Sequence, residues 1–234
     1  MITRNAGRTI VKKLPDFFGV ATLFLAICAG PWTSAVAQSP ATPVQKSVKT
    51  PALPASGTYK IDPRHSFAYF SAWHHLVGRV RGRFDQVSGT ITVSPDPAAC
   101  SVDVTIDVAT ISTQVSQRDD DLRSDAYFDV KKFLTMTYQG RGIRRASADL
   151  WTMDGSLTMH GVTKVVPLTF KYNGAFADTK PNQPTRIAFH GTAAIKRAGF
   201  GMGARDNAAE VGDSTVPDVD IEIDVEADAN PTTP

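Results

Sequence analysis

The sequence predicts an all-β domain of about eight to nine antiparallel strands, and three observations carry that prediction. Apolar and polar residues alternate with a period of two over most of the chain, turn residues separate the alternating runs, and only one stretch breaks into a helical period. Strands with one apolar face each must stack as a sandwich or close as a barrel, and periodicity does not separate the two.

The front of the chain is read as an address rather than as fold. Arg4, Arg8, Lys12 and Lys13 form a basic leader, Phe17 to Ala29 an apolar run, and Ala35-Val36-Ala37 a small-residue cleavage site. This is the pattern of a secretory signal peptide, residues 1–37, cut after Ala37. The apolar run is shorter than the roughly 20 residues a spanning helix needs, so no transmembrane segment is expected after cleavage. Leu25-Ala26-Ile27-Cys28 approaches a lipidation motif at Cys28, but bulky Ile27 stands where a small residue is wanted. Residues 38–56, rich in Pro, Ser, Thr and Ala, read as a disordered tether, and residues 228–234 as a disordered tail. Between them lies one domain, residues 57–227, without an internal repeat.

Charge and cysteine content exclude some classes of function. The chain has 25 basic and 23 acidic residues, and loss of the leader removes four of the first and one of the second, leaving a net charge near −1. No basic surplus remains for a nucleic-acid partner. Cys28 leaves with the leader, so Cys100 has no partner for a disulfide within the chain, and stability must come from an apolar core.

The strands follow in order. Noisy alternation covers Ser66 to Trp73 and Val87 to Val93, and a clean one sets Val102, Val104, Ile106 and Val108 against Asp103, Thr105 and Asp107. Further runs cover Met136 to Ile143, Leu150 to Met159, Val165 to Tyr172 and Ile187 to Ile195. The last sets Val219, Ile221, Ile223 and Val225 against Asp220, Glu222, Asp224 and Glu226. Ser94-Pro95-Asp96-Pro97, His160-Gly161 and Lys180 to Pro184 supply turns.

Between Ala109 and Met136 the period changes. Leu122, Ala126, Val130 and Phe133 recur at helical spacing, which predicts an amphipathic helix or two short helical turns broken near Ser124. The aspartates of "QRDDDLRSDAYFDVKKF" look like a metal cage, but on a helix Asp119, Asp120 and Asp121 diverge by about 100° each. They do not share an ion, and Asp119 is expected to pair with Arg123 on a solvated face. No metal site is expected elsewhere: His65, His74, His75, His160 and His190 show no ligand spacing, and His74 and His75 point to opposite faces of a strand. His65 and His160 are expected to bond backbone groups in turns. No G-x-S-x-G elbow marks a nucleophile, and "GFGMG" lacks the spacing of a phosphate loop, reading instead as a connection with Phe200 and Met202 tucked inward. No catalytic residue is assigned.

Six segments in order from Tyr59 to Ala227 carry a resemblance: "YKIDPRHSFAYFSAWH", "GRVRGRFDQVSGTI", "TISTQVSQRDDDLRSDAYFDVKKF", "GSLTMHGVTKVVPLTF", "IKRAGFGMG" and "VGDSTVPDVDIEIDVEA". Together they resemble the YceI-like family, also called the lipid or polyisoprenoid-binding-like domain. The resemblance implies an antiparallel, lipocalin-like β-barrel of about eight strands with one or two short helical segments. It also implies export to the periplasm and a long apolar chain inside the barrel, such as an isoprenoid quinone, a polyprenyl compound or a fatty amide. Beyond that bound lipid no cofactor is implied; a homodimer is. The family's recurrent polar residues fall on Asp62, His65, Ser66, Arg118, Asp119, His160, Lys164, Lys196 and Arg197. Leu134, where the family usually has Pro, and the pair His74-His75 depart from its pattern.

Physics agrees with such a ligand, since burying one five-carbon isoprene unit contributes roughly 3 to 4 kcal/mol gross with few polar contacts. The residues expected to hold it are Phe67, Tyr69, Trp73, Leu157, Met159, Phe170, Phe189 and Phe200. The function expected is therefore a non-enzymatic lipid carrier. Two other readings fit the same sequence: an enzyme acting on a lipid head group through His65, His160 and Asp119 or Asp213, and a filled interaction domain without ligand.

Overall fold

The two-residue period becomes a twelve-stranded antiparallel sheet. A computed structural model describes residues 53–74, 77–177, 183–203 and 219–230. The expected signal peptide, most of the tether, His75 and Asp213 lie outside the described residues.

The strands are β1 Gly57–Ile61, β2 Phe67–His74, β3 Gly78–Phe84, β4 Val87–Val93, β5 Ser101–Asp107 and β6 Ile111–Ser112. They continue as β7 Thr135–Arg141, β8 Arg144–Arg145, β9 Trp151–Met159, β10 Val162–Phe176, β11 Arg186–Ile195 and β12 Val219–Ala229. Eight of them close a ring in the order β1, β4, β5, β7, β9, β10, β11, β12, with β12 returning to β1 through Tyr59 opposite Ala229 and Ile61 opposite Ala227. The barrel, not the sandwich, is the solution. Closure gives every ring strand a partner on each edge.

One edge of β12 serves two strands. Its residues 227–229 pair with β1, and its residues 219–224 pair with β2, which leads a ribbon through β3 to β6. The corner between β1 and β2 is held by polar bonds: the Asp62 amide donates to the Glu226 carbonyl (2.9 Å), and the Glu226 amide donates to Ser66 Oγ (3.1 Å). Ser66 is fully buried, so its hydroxyl replaces the ladder bonds lost where the strand breaks.

Burial follows the alternation. Val104, Ile106 and Val225 are buried, while Thr105, Asp107, Glu222 and Asp224 face solvent. Two differences appear at the ends. Leu53 packs against Cys100, Ile143 and Met153, with Tyr59 Oη donating to the Ala55 carbonyl (2.7 Å), so the last residues of the expected tether lie on the barrel. Asp228 and Ala229, expected in the tail, complete β12.

In the acidic stretch the helix α1, Ser116–Arg123, stops at Ser124, where a break was expected, and the chain then turns through Tyr127 N to Ser124 O and Phe128 N to Leu122 O; the placing of its aspartates is what differs. Asp119 is buried rather than solvated, accepting from the Thr113 amide (2.7 Å) and Thr113 Oγ1 (2.6 Å), and so ties the helix to the chain end of β6. Arg123 pairs with Asp120 instead (3.2 Å) and donates to the Ile111 carbonyl (2.7 Å). Phe200 and Met202 are buried as expected, in a short turn that follows β11.

Candidate functional site

The barrel is not filled. A cavity of about 240 Å³ runs through it, walled almost entirely by apolar side chains. At one end it is lined by Leu53, Pro54, Val93, Cys100, Ile143 and Met153; at the other by Ala72, Leu122, Tyr127, Arg197, Met202 and Val219. Bulk and space are mixed around the wall: Tyr138, Met153, Leu157 and Met159 come from β7 and β9 and Phe70 and Phe189 from β2 and β11, while Ala68, Ala72, Gly191 and Ala193 leave space beside them.

Tyr138 shows how a large wall residue is locked. Its hydroxyl lies 3.1 Å from the Val166 carbonyl and 3.3 Å from the Met153 carbonyl, across a strand where Gly155 makes room: a Cβ there would stand 2.2 Å from the Tyr138 ring. Burial, with a smaller effect of Asp154, pushes the phenol up to about 12, so it stays neutral and polar only at its tip.

Of the residues expected to hold a ligand, Tyr69, Leu157, Met159, Phe170 and Phe189 lie in the cavity wall. Phe67, Trp73 and Phe200 do not. Phe67 lies beneath the Arg83 guanidinium (5.0 Å to the ring centroid), Trp73 is exposed beneath Arg79 (4.2 Å), and Phe200 is buried beside the wall rather than in it. Of the larger row of β2 Tyr69 reaches the wall, while the inward row of that strand is Ala68, Phe70 and Ala72. Ile221, Ile223 and Val225 also line the cavity; the clean alternation of β12 was the signal that marks them.

The recurrent polar residues divide into separate groups. Arg197 lines the cavity. Arg118 Nε donates to Thr113 Oγ1 (2.8 Å) and supports the Asp119 contact, and exposed Lys164 lies beside Gly199. Lys196 immediately precedes the short turn that contains Phe200. His160, at a positive φ of 52°, bonds the Phe200 carbonyl through Nδ1 (3.1 Å) and meets the Phe133 ring edge-on, a long-range tie rather than a local turn bond.

Asp62, His65 and Ser66 form the corner at β1. The buried Asp62 carboxylate accepts from Arg64 Nη2 (3.2 Å), His65 Nδ1 (2.9 Å) and Arg186 Nη2 (2.9 Å), and Arg186 also reaches Glu226 and Asp228. His65 therefore bonds a side chain, not the backbone group expected from sequence. Arg64 first, and His65 after it, hold the Asp62 carboxyl well below the usual carboxylate range against the opposing effect of burial. No three His, Cys, Asp or Glu residues among the described residues converge as ligands for an ion.

The YceI-like domain model matches residues 59–227, nearly all of the ring and its corner. The chain belongs to the YceI-like family. A UPF0312 protein of Pseudomonas aeruginosa is 34% identical over 147 residues, which span 62% of this chain and 75% of that one. Protein YceI of Salmonella newport is 33% identical over the same shares. Among solved structures, the Campylobacter jejuni YCEI protein superposes with a TM-score of 0.56 at 27% identity, over 66% of this chain and 88% of that one. A polyisoprenoid binding domain from Saccharophagus degradans, implicated in plant cell wall breakdown, superposes with a TM-score of 0.55 at 20% identity, over 74% and 98% of the two chains. That last likeness is one of fold. The YceI-like barrel is thus the scaffold on which this cavity is built.

Proposed function

We propose that this YceI-like protein is a non-enzymatic carrier that is exported to the periplasm and holds one long apolar lipid inside its barrel. The carrying observation is the cavity itself: one apolar space inside the ring, where the buried Tyr138 hydroxyl is turned to backbone carbonyls. Water gains few partners in such a space, whereas an isoprenoid or fatty chain buries methylene after methylene against it. The fold is shared with the polyisoprenoid binding domain from Saccharophagus degradans, which supports the isoprenoid chain as the first ligand class to test.

Residues proposed for an enzymatic alternative have structural occupations. His65 is bonded to Asp62, His160 to the Phe200 carbonyl and Asp119 to Thr113, and none of the three lines the cavity. Their roles are read as holding the corner and the cap of the barrel.

Native mass spectrometry of protein exported in a bacterial host, followed by solvent extraction, tests the reading. A stoichiometric mass excess matching a quinone, polyprenol or fatty amide is expected. A clean apo mass that persists after incubation with such lipids would overturn it.

A further inference from the structure

Residues 53–56 belong to no strand, yet they form part of one end of the cavity. Leu53 and Pro54 are wall residues there, Leu53 packed on Cys100, Ile143 and Met153 and Pro54 buried. Cys100 shares that wall and is only 5% exposed.

A lipid that fills a barrel must pass some part of its wall, and the parts differ in what moving them costs. Every ring strand is laddered to two neighbours, so parting any pair breaks a row of backbone bonds. The opposite end is held by α1, where Asp119 accepts twice from Thr113, and Arg123 donates to the Ile111 and Ala109 carbonyls (2.7 and 3.1 Å). Residues 53–56 have far less. Among the described residues their hydrogen bonding is one bond, from Tyr59 Oη to the Ala55 carbonyl, and none of them joins a ladder.

Their junction with the sheet is also permissive. Gly57, the first residue of β1, stands at a φ of 155°, a backbone angle open to glycine and strained for other residues. One buried leucine contact and one hydrogen bond thus seat the segment, the kind of tie that local opening breaks while the ring stays closed. We propose that residues 53–56 are a strap that gates the cavity, seated by Leu53 and the Tyr59 bond and lifted when a lipid enters or leaves at this end. The gate rests on the carrier reading, whereas the lifting of the strap is measured without cargo, at Cys100.

Alkylation of Cys100 by iodoacetamide in the full protein, followed by mass spectrometry on the peptide that contains it, reads the lifting. Release of bound all-trans-retinol, a fluorescent isoprenoid alcohol, into excess phosphatidylcholine vesicles reads the gate. Leu53→Asp is expected to speed both at least about tenfold, through loss of the buried leucine contact. Tyr59→Phe keeps the ring, loses the hydroxyl and is expected to speed both about fivefold, the effect of one neutral hydrogen bond; it carries the test alone should Leu53→Asp fail to fold. Urea well below the unfolding transition should leave alkylation of the parent unchanged, because lifting a strap exposes little surface. Alkylation that climbs steeply in that range, or that neither variant speeds, would overturn the strap. Retinol that binds but leaves the variants no faster than the parent would overturn the gate alone. No retinol bound by the parent would take away the gate together with its isoprenoid cargo, a result distinct from binding with unchanged release.

Discussion

Asp62 and Tyr138 show two ways in which a single side chain secures the barrel. The Asp62 carboxyl has a depressed pKa in the folded state, so its contribution is complete above the ordinary carboxylate range and is lost as pH falls toward the folded value. Asp62→Asn is expected to cost about 2–3 kcal/mol in urea unfolding at pH 7, and the gap to the parent should shrink only below about pH 4. A gap independent of pH would show that the carboxylate charge does not matter. Gly155→Ala should cost about 1–3 kcal/mol by forcing the Tyr138 ring from its carbonyl partners. Adding Tyr138→Phe to that variant should cost less than Tyr138→Phe alone, a coupling that a double-mutant cycle measures. At this scale the sequence is a partial guide. A buried Asp119 and a solvated one look alike in "QRDDDLR", because what buries Asp119 is Thr113, six residues earlier, on the far side of a positive-φ turn at Gln114.

Elements were most legible where both rows of a strand are chemically distinct. β5 and β12 alternate valine or isoleucine with acids, and their inward rows line the cavity. β3 was not legible, since its inward row is partly glycine: Gly82 makes room for Phe70, whose Cζ would stand 2.5 Å from an added Cβ. For the same reason the inward face of β2 could not be read. Its larger side chains, Phe67, Tyr69 and Trp73, share one row, and the opposing glycines of β3 select the row of Ala68, Phe70 and Ala72. The short β1, cut off by Asp62-Pro63, carries too few residues to show a period. These elements make their own predictions. Ala193→Phe on β11 should fill the space left at that wall position and reduce extracted lipid, with the far-UV spectrum retained. Asp119→Ala should release α1 from β6 at a cost of about 1–3 kcal/mol, read as a lower urea midpoint.

The ring as a whole holds space that its own side chains do not occupy, so stability and cargo are linked. A lipid that binds only the closed barrel raises stability by about 2.7 kcal/mol at a free concentration one hundred times its dissociation constant. Protein stripped with detergent is thus expected to melt below protein as purified and to regain its melting temperature on adding back the extract; equal melting would separate cargo from stability. The alternating strands declare an all-β fold, yet the barrel rather than the sandwich depends on β1 meeting β12, a contact between distant residues that periodicity does not encode. That same contact sets a clock. Residue 59 meets residue 229, so the ring stays open until β12 has been made. β1 finds β4 early, through Gly57 and Val93, and must wait for its other neighbour. A chain in the course of synthesis is therefore an incomplete cylinder with a bare seam, and the seam is a hazard for aggregation until β12 arrives.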